Sequence, residues 1–204
     1  GGGGGGVWGG GGGAAAAAAL AFAREGARVV VADINEALAQ KTAGLIAAAG
    51  GEALAVRADM ARAEDIRAVM EAARSRFGGL HMASNNAAAA PPNRPLTQIS
   101  EEEWDRCMSV TLRGVWLCLK HELPLIEASG GGAIVNVASL SGVRGDPHQG
   151  AYAAAKGGVL ALTKTAATEY ARRGVRVNTV CPGGINTKGM EFYLQGMPEL
   201  RQKT

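Results

Sequence analysis

The strongest constraint on how this chain folds is a regular alternation of two kinds of segment. Short runs rich in β-branched or small apolar residues, at 28–33, 53–57, 80–84, 133–137 and 175–180, are separated by stretches long enough for helices, at 35–49, 63–77, 101–127 and 150–173. Continuous apolar runs bounded by turn residues are what a strand buried on both faces requires. Gly50-Gly51 and Gly78-Gly79 end two of the helical stretches. Ser100 followed by three acids opens a third, where a cap and negative charge suit the helix dipole. Strand–helix alternation with short connections implies a doubly wound parallel α/β sheet with helices on both faces. Such a sheet binds its ligand beyond the C-terminal strand ends, where the winding reverses. Asp33, Asp59, Asn86, Ser139 and Pro182 all fall at or just past a strand C-terminus.

Composition narrows the class. The chain has 204 residues, 19% charged and 47% hydrophobic, with a net charge of +3, which suits one globular domain spanning 1–204. The basic residues are dispersed and form no cluster, so nothing tracks a phosphate backbone and no nucleic-acid partner is expected. Cys107, Cys118 and Cys181 are odd in number and widely spaced, which points to free thiols rather than a disulfide frame or metal site. No run of 18 apolar residues and no charged signal segment stand out, so the expectation is a cytoplasmic protein with no membrane partner.

The chemistry centres on Tyr152 and Lys156. Four residues make about one helical turn, so phenol and ammonium share a face. A free tyrosine titrates near a pKa of about 10 and is a poor base at neutrality. A cation held beside it favours the phenolate and is expected to draw that pKa down. Ser139, thirteen residues before Tyr152, closes a strand, and a strand end beside a helix brings a hydroxyl and a phenol to one substrate oxygen. A Tyr–Lys pair alone is more often simple packing on a helix. Its company is what gives it weight.

Asn85-Asn86-Ala87, Ser139, Tyr152-x-x-x-Lys156 and Pro182-Gly183, in this order and spacing, resemble the short-chain dehydrogenase/reductase family from about Leu20 to Thr187. That resemblance implies a Rossmann-like fold and an oxidoreductase moving a hydride between NAD(H) and a secondary alcohol or ketone. Ser139, Tyr152 and Lys156 would be catalytic, with no metal. It places cofactor contacts at Gly9 and Gly13 in a glycine-rich turn and at Asp33 on the adenosine ribose. Asp59 and Met60 would lie by the adenine and Asn86 near the adenosine. Tyr152 and Lys156 would meet the nicotinamide ribose, and Pro182, Gly183, Ile185 and Thr187 the nicotinamide. Asp33 implies NAD rather than NADP, since a carboxylate repels a 2′-phosphate. Family members assemble through their two long helices, so a homodimer or homotetramer is expected. His81, His121 and His148 receive no chemistry, although His148 lies close enough to Tyr152 to line a substrate pocket.

Several positions depart from the family pattern. Trp8, Ala15 and Ala88 stand where the motifs place threonine, glycine and glycine, and Thr111 stands where asparagine usually supports a water beside the lysine. A threonine hydroxyl can bond a water but is shorter and can bond its own helix carbonyl instead. These departures motivate an alternative, a dinucleotide-binding or regulatory module without turnover. A third reading, a piece of a larger enzyme, comes from the stop at Thr204, where the family continues with a further strand and helix. The segment from Gly189 would be the start of a substrate lid. Residues 1–6, 9–13 and 14–19 are glycine and alanine runs. Each strand glycine costs about 0.5–1 kcal/mol relative to alanine and packs nothing. The expectation is that bulkier residues belong in these runs and that the molecule exceeds 20.7 kDa.

Overall fold

The computed structural model describes residues 4–8 and 13–184. Six strands form one parallel sheet in the order β3-β2-β1-β4-β5-β6. They are β1 (Gly4–Trp8), β2 (Arg28–Asp33), β3 (Ala53–Arg57), β4 (Met82–Asn85), β5 (Gly132–Val137) and β6 (Val175–Val180). The helices are α1 (Gly13–Arg24), α2 (Glu36–Ala48), α3 (Ala63–Phe77), α4 (Glu101–Met108), α5 (Gly114–Ala128), α6 (Leu140–Val143) and α7 (Gly150–Tyr170). Winding runs outward one way from β1 to β3 and the other way from β4 to β6. The reversal between β1 and β4 is the switch point at which such sheets take ligands.

The core is a consequence of β2. Val29, Val30, Val31 and Ala32 have no exposed surface, and successive strand side chains face opposite sides. Val29 and Val31 join Ala15, Ala19, Ala39 and Ile46 on one face, beneath α1 and α2. Val30 and Ala32 join Ile66, Phe77, Leu117, Ile126 and Ile134 on the other, beneath α3 and α5. A strand with no polar position can be buried on both faces only if helices cover both.

Local signals act where expected. Asn35 caps α2 by accepting the Leu38 N–H, and Ser100 with Glu103 forms a reciprocal capping box at α4. Two boundaries differ from the sequence reading. The fourth strand occupies Met82–Asn85, so Asn85 is inside it rather than after it. The stretch 101–127 is not one regular helix. A π turn at Ser109–Arg113 joins α4 to α5, and such bulges concentrate at functional sites.

The glycine-rich strand β1 pairs with β2 and β4 in full register, Gly4 opposite Arg28 and Gly5 opposite Met82. At Gly4 a larger side chain would require its surroundings to shift. A methyl group there would lie 2.5 Å from the Gly79 carbonyl oxygen. His81 explains the close approach, since its Nδ1 accepts the Gly4 N–H at 3.1 Å and its own N–H donates to the Gly4 carbonyl. The expected lid segment from Gly189 lies outside the described residues.

Candidate active site

Ser139 leaves β5 with extended backbone and caps α6, its hydroxyl accepting the Ser141 N–H at 3.2 Å. Its carbonyl accepts the Gly142 N–H at 3.1 Å, so the short helix hangs from this one residue. The segment after α6 is folded back by Ser141, whose hydroxyl sits 2.6 Å from the Asp146 carboxylate and 3.1 Å from the Gln149 side-chain oxygen. Chain return then starts α7, which places half-buried Tyr152 in its first turn. The Ser139 hydroxyl lies beside the Tyr152 phenol and favours its phenolate form. One turn further on, Lys156 is 2% exposed, with its Nζ 5.6 Å from the Tyr152 ring centroid. The three residues that sequence reasoning singled out therefore meet at the C-terminal edge of β5.

The electrostatics correct one expectation. Lys156 was expected to draw the Tyr152 pKa down, yet the phenol is raised above its usual 10. Burial is the largest cause and outweighs the Ser139 hydroxyl that favours phenolate, while the Cys107 thiol beside it adds to the rise. The lysine is itself strained as a cation. Burial lowers it from 10.5 to about 8, partly offset by the neighbouring thiols of Cys107 and Cys181. Its ammonium donates to the Val137 carbonyl oxygen.

Thr111 sits in the π turn with no exposed surface. Its Oγ1 donates to the Ala89 carbonyl and accepts the Ala89 N–H, both at 3.0 Å. The hydroxyl is thus committed to the 87–95 loop and not to its own helix carbonyl, where the sequence reading placed the competing bond. Cys107, one turn earlier, is buried beside Ala151 and Ala155 and also bonds Thr111.

On the cofactor side the predicted residues divide. Met60 and Asn86 line one small cavity with Asn85, Ala87, Val110, Gly114 and Cys118. Asp33 ends β2 half-buried, and one of its oxygens accepts the Asn35 N–H at 2.8 Å. Asp59 follows β3 and uses Oδ1 on the Ala61 N–H at 2.9 Å. Pro182 accepts the Leu140 N–H at 3.0 Å, and Gly183 packs by Leu140, so this turn abuts the helix capped by Ser139. Gly13 opens α1 with φ +54°, a left-handed conformation that glycine adopts without penalty. Ala15, which stands where the family motif has glycine, is buried in the core with Ala19. Gly9, Ile185 and Thr187 lie outside the described residues.

Sequence reasoning missed a buried polar chain behind this cavity. The Asn85 amide donates to Glu122 at 3.0 Å and to Asn136 at 2.8 Å, and Asn136 donates to Thr163 at 2.9 Å. Glu122 and Asn136 have no exposed surface. The available signal was an acid and an amide inside otherwise apolar runs. The Asn85 Oδ1 is buried without a partner among the described residues, an orphaned acceptor beside the cavity.

Comparison with known proteins follows this geometry. A family described as enoyl-(acyl carrier protein) reductase matches residues 10–204. The chain belongs to the short-chain dehydrogenase/reductase family. It is 47% identical over 169 residues to a cyclohexanol dehydrogenase of Acinetobacter sp. (strain SE19), covering 83% of this chain and 67% of that one. Levodione reductase superposes with a TM-score of 0.92 at 35% identity, over 98% of this chain and 78% of that structure. A 3-ketoacyl-(acyl-carrier-protein) reductase from Brucella melitensis complexed with NADH gives 0.86 at 35% identity, over 92% and 77%. The chain spans about two thirds of the length of the curated relatives it matches. Members of this family are oxidoreductases built on the Rossmann-like sheet seen here. Among the described residues no helix is long and apolar enough to cross a membrane, and no cluster could hold a metal ion.

Proposed function

We propose that this chain carries out reversible hydride transfer between NAD(H) and a secondary alcohol or ketone, with a cyclic carbinol as the substrate class. The observation that carries this reading is the placement of Ser139 beside Tyr152 at the end of β5, with buried Lys156 one turn along α7. The ring preference rests on the likeness to the cyclohexanol dehydrogenase.

Features at the C-terminal edge of the sheet support a dinucleotide there. That edge includes the reversal of winding, carries a carboxylate at the end of β2, and contains the orphaned Asn85 acceptor beside Met60 and Asn86. Asp33, Asp59, Met60 and Asn86 would hold the adenosine half, with Gly9 and Gly13 at the pyrophosphate. Tyr152, Lys156, Pro182, Gly183, Ile185 and Thr187 would hold the nicotinamide half. When bound, the nicotinamide accepts or supplies the hydride. The protein's part is proton handling and position. Ser139 donates a hydrogen bond to the substrate oxygen and stabilises charge developing there. Tyr152 takes the hydroxyl proton in oxidation and returns it in reduction. Lys156 positions the ribose and supplies positive charge when protonated.

Asp33 supports NAD over NADP by repulsion of a 2′-phosphate. The apolar surroundings of Tyr152 support a small uncharged substrate. Cytoplasmic residence and a homodimer or homotetramer through the α5 and α7 helices complete the proposal. An NADH titration followed by turnover of cyclic secondary alcohols and their ketones tests it. Tight NADH binding with no turnover of any of them would favour the non-catalytic module instead.

A further inference from the structure

Gly142 is a helical glycine with no conformational reason to be one. Its φ is not among the positive values in the described residues. Alanine would stabilise a helix there by roughly 0.5–1 kcal/mol. The reason is contact. A methyl group on Gly142 would lie 2.6 Å from the Lys156 carbonyl carbon, 2.7 Å from the Gly157 nitrogen and 2.9 Å from the Lys156 Cβ. None of these atoms can rotate out of the way, because two are backbone and the third is fixed to it. A methyl group on Gly157, facing the same contact from α7, would sit at an ordinary 3.4 Å from the Gly142 carbonyl oxygen. The close approach therefore depends on one of the two glycines.

We propose that Gly142 is a positioning residue for hydride transfer, its bare backbone letting α6 lie directly on α7 and so setting the Ser139 hydroxyl against the Tyr152 phenol. The proposal rests on the assignment of Ser139 and Tyr152 given above. The linkage is short. Ser139 is tied to α6 through its carbonyl to the Gly142 N–H and through its hydroxyl to the Ser141 N–H. Tyr152 and Lys156 are one turn apart on α7. Pushing α6 off Lys156 moves Ser139 and leaves Tyr152 behind. Dense packing offers no slack to absorb the shift. Misplacing a catalytic group by about 1 Å costs on the order of 100-fold in rate.

The test uses the full chain with NAD and a panel of cyclic secondary alcohols, reading kcat, KM, NADH affinity and thermal midpoint. Gly142→Ala is expected to lose roughly 10- to 100-fold in kcat while NADH affinity stays within about twofold. Gly157→Ala is expected to keep wild-type kcat. In the Ser139→Ala background, Gly142→Ala should cost nothing further, because the group it positions is gone. Should Gly142→Ala not fold, Gly157→Val applies the same push from α7 and must show the same signature. Full kcat in Gly142→Ala, additive losses in the double variant, or loss of fold or NADH affinity in both pushing variants would overturn the proposal. Tyr152→Phe in the same assay separates the two claims. Wild-type turnover by Tyr152→Phe, or none by the wild type, sinks the site assignment, whereas an inactive Tyr152→Phe beside a fully active Gly142→Ala sinks only the role of Gly142.

Discussion

The Lys156 ammonium donates to the carbonyl oxygen of Val137, two residues before Ser139. This bond joins α7 to the last residue of β5, just ahead of the serine. It also orients a cation that burial disfavours, since Lys156 titrates at about 8 rather than 10.5.

Lys156→Met is therefore expected to abolish turnover without lowering the thermal midpoint at pH 7. A displacement from 10.5 to about 8 corresponds to a burial penalty on the order of 3 kcal/mol. It is offset in part by the lost bond to Val137, worth about 1–3 kcal/mol as an unsatisfied carbonyl. The sign follows from linkage. The folded pKa lies below the unfolded one, so the penalty is full below about 8 and is relieved as pH rises towards 10.5. Any midpoint advantage of Lys156→Met must shrink across that window. An advantage that grows with pH would contradict the assignment.

Alcohol oxidation should rise with pH. It needs the phenolate of Tyr152, which burial holds above the usual 10 against the pull of Ser139. Carbonyl reduction needs the phenol and should stay nearly flat up to about pH 8–9. Initial rates in both directions over that range check this, and an oxidation plateau already reached at neutral pH would contradict it.

Asp33 should impose at least about a tenfold preference for NAD over NADP, roughly 1.4 kcal/mol. Asp33→Ser should erase most of it by removing the charge. Dissociation constants for both cofactors at moderate ionic strength measure this. Equal values in the wild type would mean that Asp33 points away from the ribose.

Thr111→Val keeps the shape of the side chain and deletes both bonds to Ala89. It should cost about 1 kcal/mol of stability, because a partly buried N–H and C=O lose their partner. Thr111→Ser should retain nearly all of it. Denaturant midpoints compare the two, and equal stability would show that the 87–95 loop does not depend on this hydroxyl.

The fold was legible because β2 and its neighbours carry their instructions locally. Val29 to Ala32 can only be buried on both faces, and caps at Asn35 and Ser100 fix where helices begin. Ser139, Tyr152 and Lys156 were legible because one helical turn and one strand end are enough to bring them together. What stayed hidden depends on distant parts of the chain. The π turn holds Thr111, which bonds Ala89, 22 residues away. The raised phenol of Tyr152 follows from burial that no spacing encodes. Glu122 meets Asn85 across 37 residues, and Asn85 meets Asn136 across 51. Gly142 reads as an ordinary helix breaker until α7 is placed beside it.

The central claim is that Tyr152 moves the proton. Tyr152→Phe keeps the ring in its pocket and removes only the hydroxyl, so one comparison decides it: turnover of a cyclic secondary alcohol with NAD, alongside NADH affinity, in wild type and variant. The account predicts a loss of at least about 100-fold in kcat with NADH affinity changed by no more than about twofold. Turnover at the wild-type rate by Tyr152→Phe would contradict it.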